Sequence, residues 1–88
     1  MSREIRIRNI LSQAFSPLEL EVVDDSARHA GHAGAAPEGE THFNVRIIAD
    51  AFANLSRVER QRAVNKALAA EFETGLHALS IKAHGPAD

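Results

Sequence analysis

Three segments of the 88-residue chain alternate apolar and polar residues with a period of two, and so short a chain has room for one small sheet to hold them all. In Leu18-Glu19-Leu20-Glu21-Val22-Val23-Asp24, Leu18, Leu20 and Val22 share one side and charged neighbours take the other. His42-Phe43-Asn44-Val45-Arg46-Ile47-Ile48 sends Phe43, Val45 and Ile47 one way and His42, Asn44 and Arg46 the other; Leu76 to Ala83 alternates again. Successive side chains leave a strand on opposite faces, so this pattern marks strands with one face on a core and one in water. A domain ordinarily takes ~100–150 residues, so residues 1–88 make one domain with a thin core.

Helices supply the second layer. From Ser2 to Phe15, the apolar residues Ile7, Ile10, Leu11 and Ala14 recur at helical spacing. Ser2 caps the start, and Ser16-Pro17 ends the helix because a residue before proline avoids the helical region. Asp50 to Leu55 reads as one helical turn. Ser56-Arg57-Val58-Glu59 is a capping box opening a long helix, with Val64, Ala67, Leu68 and Phe72 on its apolar face and Glu59, Arg62, Lys66 and Glu73 opposite. Gly75 suits the C-terminal cap. The order αββααβ predicts an α/β (α+β) domain, a three-stranded mixed sheet packed on helices with the first two strands antiparallel. Residues 25–41 contain three of the five glycines and nothing larger than His or Arg, so they read as a flexible surface loop. Residues 84–88 read as a frayed tail.

Composition narrows the chemistry. There is no cysteine, which excludes a disulfide scaffold, a thiol nucleophile, and a zinc or iron–sulfur site held by this chain's own sulfurs. Ten Lys+Arg against twelve Asp+Glu give a net charge of −2, unlike the strongly basic domains that grip phosphate backbones. No apolar run approaches the ~18–20 residues of a membrane span, and no apolar segment follows the N-terminal arginines as in a secretory signal. The expected location is the cytoplasm, without a membrane partner. No GxSxG elbow, HExxH pair, Walker loop or dinucleotide glycine fingerprint is present, so no enzyme is expected. Asp24-Asp25, at a strand end, is read as turn chemistry.

The side chains of unusual character are five histidines, at 29, 32, 42, 77 and 84. Imidazole ligates zinc, iron and copper. His77 stands where the long helix meets the third strand, held by rigid elements on both sides, as a good site requires. His29 and His32 sit in the loop, His42 leads the second strand on its wet face, and His84 lies in the tail. Each also has an ordinary reading, a solvated loop pair or a junction histidine bonded to its neighbours. A zinc or cluster iron takes about four ligands, so two or three imidazoles leave a metal shell that a partner must complete. Arg57, Arg60, Arg62 and Lys66 gather early in the long helix, and Arg3, Arg6 and Arg8 lie on the first. Glu59, Glu71 and Glu73 dilute this basic character, and stacking aromatics are lacking, so a solvated mixed-charge surface is favoured over phosphate binding.

Leu18 to Ser26, Glu40 to Val45, the arginine-rich long helix and Leu76-His77-Ala78-Leu79, in this order and spacing, resemble the BolA family over nearly the whole chain. The resemblance implies the BolA variant of the class II KH-like fold. It also implies partnership with a monothiol glutaredoxin, the two proteins sharing a [2Fe-2S] cluster in iron–sulfur trafficking or iron regulation. The isolated chain would be a monomer that forms a heterodimer with that partner. By the same resemblance His77 is one cluster ligand. The second is a histidine of the loop: His29, whose distance from Asp24-Asp25-Ser26 fits the family, or His32. Glutathione and the glutaredoxin cysteine supply the thiolates. Imidazole in place of thiolate raises a cluster's potential. The alternative role within the family is a KH-like DNA- or RNA-binding transcriptional regulator, for which Arg60, Arg62 and Lys66 are the candidate contacts. Two departures stand out. Arg60-Gln61-Arg62 replaces the Arg-His-Arg of many members, removing a possible polar contact, and Ala51 to Ser56 has no glycine where a KH GxxG turn belongs. Gly31-His32-Ala33-Gly34 matches GxxG only by coincidence, because it lies between strands.

Overall fold

The computed structural model describes residues 2–25 and 41–87, with elements in the order α1 (Arg3–Phe15), β1 (Glu19–Asp24), β2 (His42–Ile48), a 3-10 turn (Asp50–Phe52), α2 (Arg57–Ala67), α3 (Ala69–Glu73) and β3 (Ala78–His84). The expected flexible loop, apart from its end residues Asp25 and Thr41, lies outside the described residues. β2 is the central strand. β1 pairs with it antiparallel, from Glu19 opposite Ile48 to Asp24 opposite Phe43, and β3 pairs parallel, from His42 opposite Ala78 to Ile48 opposite His84. A parallel neighbour requires a crossover, which α2 and α3 provide.

Val22, Phe43, Val45, Ile47 and Ala83 turn one sheet face onto Ile7, Leu11, Phe52, Val64, Leu68 and Leu76, forming the core. The other face, with Glu21, Asn44, Arg46, Ser80 and Lys82, is exposed. Unpaired strand edges invite unwanted pairing. Here side chains cover part of both: Arg8 Nη2 donates to the Val22 carbonyl (2.9 Å), Gln61 Nε2 to that of Ile81 (3.0 Å) and Arg60 Nη1 to that of Ala83 (3.3 Å). The expected caps are formed. Ser2 Oγ accepts from the Ile5 N–H, Ser56 Oγ accepts from Glu59 N–H, and Glu59 Oε1 accepts from Ser56 N–H at 2.7 Å. The Ser56 backbone donor, then its hydroxyl, holds the Glu59 carboxyl below its ordinary pKa.

Several expectations are corrected. The long helix breaks at Leu68, whose φ −100° and ψ 15° leave the helical region, so it is two helices. Beyond the break Glu71, expected at the surface, is buried, while Phe72, expected in the core, is 37% exposed. The cause is ionic: the Glu71 carboxylate accepts from Arg3 Nη1 (2.8 Å), Arg6 Nε (2.9 Å) and Arg6 Nη2 (3.0 Å), tying α3 to α1. Ala14 is exposed, and Phe15 instead packs on Phe52 with ring centroids 4.9 Å apart. Leu18 is 63% exposed because it precedes the strand whose inward face it was expected to share. His84 belongs to β3 rather than the tail, its carbonyl accepting from the Ala49 N–H at 3.0 Å.

Candidate metal-ligand site

Parallel pairing brings the starts of β2 and β3 together, and with them the residues just before each strand. The Thr41 carbonyl accepts from the N–H groups of both His77 (2.8 Å) and Ala78 (3.1 Å). The Asp25 N–H, at the end of β1, donates to the His42 carbonyl at 2.7 Å. Asp25 and Thr41 bound the segment that carries His29 and His32, so both its anchor points sit at this end of the sheet.

The other approach to His77 is equally constrained. The Glu71 carbonyl accepts from Leu76 N–H (2.8 Å) and Thr74 N–H (3.2 Å), while Arg3 Nη2 donates to the Thr74 carbonyl (3.0 Å) and Arg3 Nη1 contacts Thr74 Oγ1 (3.1 Å). Gly75 makes the turn at φ +129°, a conformation side chains disfavour. Leu76 is buried. His77 is therefore an exposed imidazole on a backbone pinned before and after it, as its junction position led us to expect.

His42 was expected on the wet face and is buried. Its Nδ1 lies 2.9 Å from Thr41 Oγ1, a hydrogen bond whose donor depends on the imidazole tautomer, and its ring centroid is 5.3 Å from that of His77 with the planes tilted by 51°. It follows the outward parity of the strand, but sits at the strand start where Thr41 and His77 cover it. No local signal marks this; the His42–Ala78 register does.

Among the described residues no three His, Cys, Asp or Glu side chains gather to hold a metal ion. Among the described residues the donor set is one outward imidazole with a second beside it, which fits a co-ligand. His29 and His32 lie outside the described residues. His84 ends the seven-residue β3 and is thus about 20 Å along the strand from His77, too far to join it.

The candidate nucleic-acid contacts do not form one patch. Arg60 turns toward β3, donating through Nε to the Leu55 carbonyl (3.1 Å) and through Nη1 to Ala83. Arg62 and Lys66, exposed, fall on the opposite side of α2 by helical spacing, and Arg62 contributes to lowering the Glu59 pKa. Arg3 and Arg6 bind Glu71, and Arg8 reaches Glu4 and Val22. Gln61, read as the loss of a polar contact, makes one of its own with Ile81.

The family model described as BolA-like protein matches residues 11–88. The chain is 50% identical over 91 residues to SufE-like protein 1, chloroplastic/mitochondrial, of Arabidopsis thaliana, covering 99% of this chain and 24% of that protein. It is 42% identical over 84 residues to BolA-like protein 1 of Homo sapiens, covering 96% of this chain and 58% of that one. It thus spans less than two thirds of either relative. The solved BolA domain of SufE1 from Arabidopsis thaliana superposes with a TM-score of 0.89 at 50% identity, covering 99% of this chain and 95% of that one. Among the described residues no helix is long and apolar enough to cross a membrane.

Proposed function

The chain belongs to the BolA family, and from that premise we propose that it is an interaction protein that pairs with a monothiol glutaredoxin and contributes histidine ligands to a shared [2Fe-2S] cluster. The observation that carries the reading is His77: exposed, on a backbone fixed by Thr41 and by the Arg3-braced turn, in a chain without a thiolate. His29 is the proposed second ligand and His32 its alternative. His29 lies four residues after Asp25 in the sequence. The glutaredoxin cysteine and glutathione supply the sulfur donors. Bound there, the cluster supplies one-electron chemistry at a potential raised by imidazole ligation. His77 offers an exposed imidazole from a pinned backbone, with the His42 ring centroid 5.3 Å from its own. We assign this pairing to the cytoplasm and to iron–sulfur trafficking or iron regulation, without catalysis by this chain.

The test is to titrate the protein into cluster-loaded monothiol glutaredoxin with glutathione, following visible absorption and circular dichroism. Wild type is expected to change both spectra and His77→Ala to abolish the change, with the same effect for whichever of His29→Ala and His32→Ala removes the loop ligand. A His77→Ala spectrum indistinguishable from wild type would overturn the proposal. The nucleic-acid reading has less support, since Arg60 faces β3 and Arg62 lies by Glu59.

A further inference from the structure

At the far end of β3 from His77, the first turns of α2 and the last residues of β3 enclose a cleft of about 450 Å³. Its lining is Arg57, Arg60, Gln61, Ile81, Lys82, Ala83 and His84, three permanent cations and an imidazole with no carboxylate among them. Three features separate this cleft from an ordinary solvated surface. The protein as a whole is net acidic at −2, so a concave site whose only permanent charges are positive runs against its average. Arg57 and Lys82 make no ion pair among the described residues, whereas Arg3, Arg6, Arg8 and Arg46 each have a carboxylate within 4 Å. Third, Arg60 and Gln61 are anchored through the Ala83 and Ile81 carbonyls, so the wall is set before any ligand arrives.

Cations converging on a concave surface with low-dielectric walls focus the field and favour a compact polyanion. Guanidinium groups bind phosphate oxygens in a fixed fork, and lysine adds a point charge. We propose that this cleft is a binding site for a linear polyphosphate, either free or as the phosphate chain of a nucleotide. One phosphate leaves part of the positive charge unmatched; two or three linked phosphates fill it. No phenylalanine, tyrosine or tryptophan lines the cleft, whose one ring is the small imidazole of His84, so the phosphates rather than a base carry the affinity. Tripolyphosphate and a nucleoside triphosphate are therefore expected to bind alike.

The experiment is isothermal titration of the full chain with inorganic phosphate, tripolyphosphate, adenosine triphosphate and a single-stranded oligonucleotide at two salt concentrations, with amide chemical-shift mapping. Saturable one-to-one binding of tripolyphosphate, tighter than inorganic phosphate and shifting Arg57, Gln61 and Lys82, is expected. Arg57→Ala and Lys82→Ala, which break no hydrogen bond described above, are each expected to weaken it about tenfold, the usual loss for one charge-assisted bond. Arg62→Ala, on the opposite face, is expected to leave it unchanged. Circular dichroism of each variant separates loss of binding from loss of fold. Equal losses for Arg62→Ala and Arg57→Ala, or no saturation, would overturn the proposal as non-specific charge attraction. A clear preference for adenosine triphosphate would overturn the claim that the base plays no part. Affinity for the oligonucleotide that exceeds that for tripolyphosphate would overturn it in favour of nucleic acid.

Discussion

Replacing Glu71 tests the link between the break in the second helical segment and the turn that precedes His77. The Glu71 side chain is 6% exposed and joins Arg3, whose side chain is 12% exposed, to Arg6, whose side chain is 37% exposed. A hydrogen bond to a charged group is worth about 1.5–3 kcal/mol. The buried Arg3 bond takes the upper part of that range, and the solvent-screened Arg6 pair adds about 0–1 kcal/mol. Glu71→Gln is therefore expected to cost about 3 kcal/mol. Arg3 Nε is already buried without a partner among the described residues, so the clamp has no spare acceptor to recruit. A domain of this size has a total stability of roughly 4–13 kcal/mol at ~0.05–0.15 kcal/mol per residue, so the loss is a large share, worth roughly 12–24 °C in melting temperature. Hydrogen bonding from Arg6 is the main reason the Glu71 carboxyl titrates below its ordinary 4.5. Its stabilisation is complete above the unfolded value and disappears as pH falls through the lower folded one. Urea denaturation of wild type and Glu71→Gln from pH 7 to pH 3 should show a constant gap down to about pH 5 that then narrows, the other carboxylates cancelling between the two proteins. A gap below 1 kcal/mol at pH 7, or one independent of pH, would refute the reasoning.

Two further predictions bear on the turn and the histidine pair. Gly75→Ala places a methyl group 2.9 Å from Arg3 Nη2 at φ +129°, and should cost more than ~1 kcal/mol by thermal denaturation while broadening the His77 amide resonance. Thr41→Val removes the hydroxyl beside His42 Nδ1 but keeps the shape and the backbone carbonyl that holds His77; it should cost about 1–2 kcal/mol and alter the His42 tautomer seen by nitrogen-15 NMR, while His77 stays in place. An unchanged His42 tautomer would show that the hydroxyl does not select it.

Apart from Leu18 and His42 at their ends, the alternating runs read correctly, as do the serine caps, because they depend on residues a few positions apart. Phe43, Val45 and Ile47 must share a face in any extended chain, and Ser56 needs only Glu59 to form its box. Leu68 shows where such reading stops. Nothing in Ala67-Leu68-Ala69-Ala70 breaks a helix, yet the break falls there, three residues before Glu71 meets arginines from the other end of the chain. The same pairing removed Arg3 and Arg6 from any phosphate-binding surface and set Phe72 partly in water.

For the candidate ligand site, spacing and resemblance singled out His77, because a junction between helix and strand is visible in local pattern. Its neighbour His42 came to light only when β3 paired parallel to β2, joining residues 35 positions apart. The cleft of Arg57, Arg60, Lys82 and His84 has the same origin, since a crossover alone sets the start of α2 against the end of β3. Local order is written in short-range sterics and hydrogen bonds, whereas charges and imidazoles distant in sequence acquire their roles only when burial of the core sets the strand register.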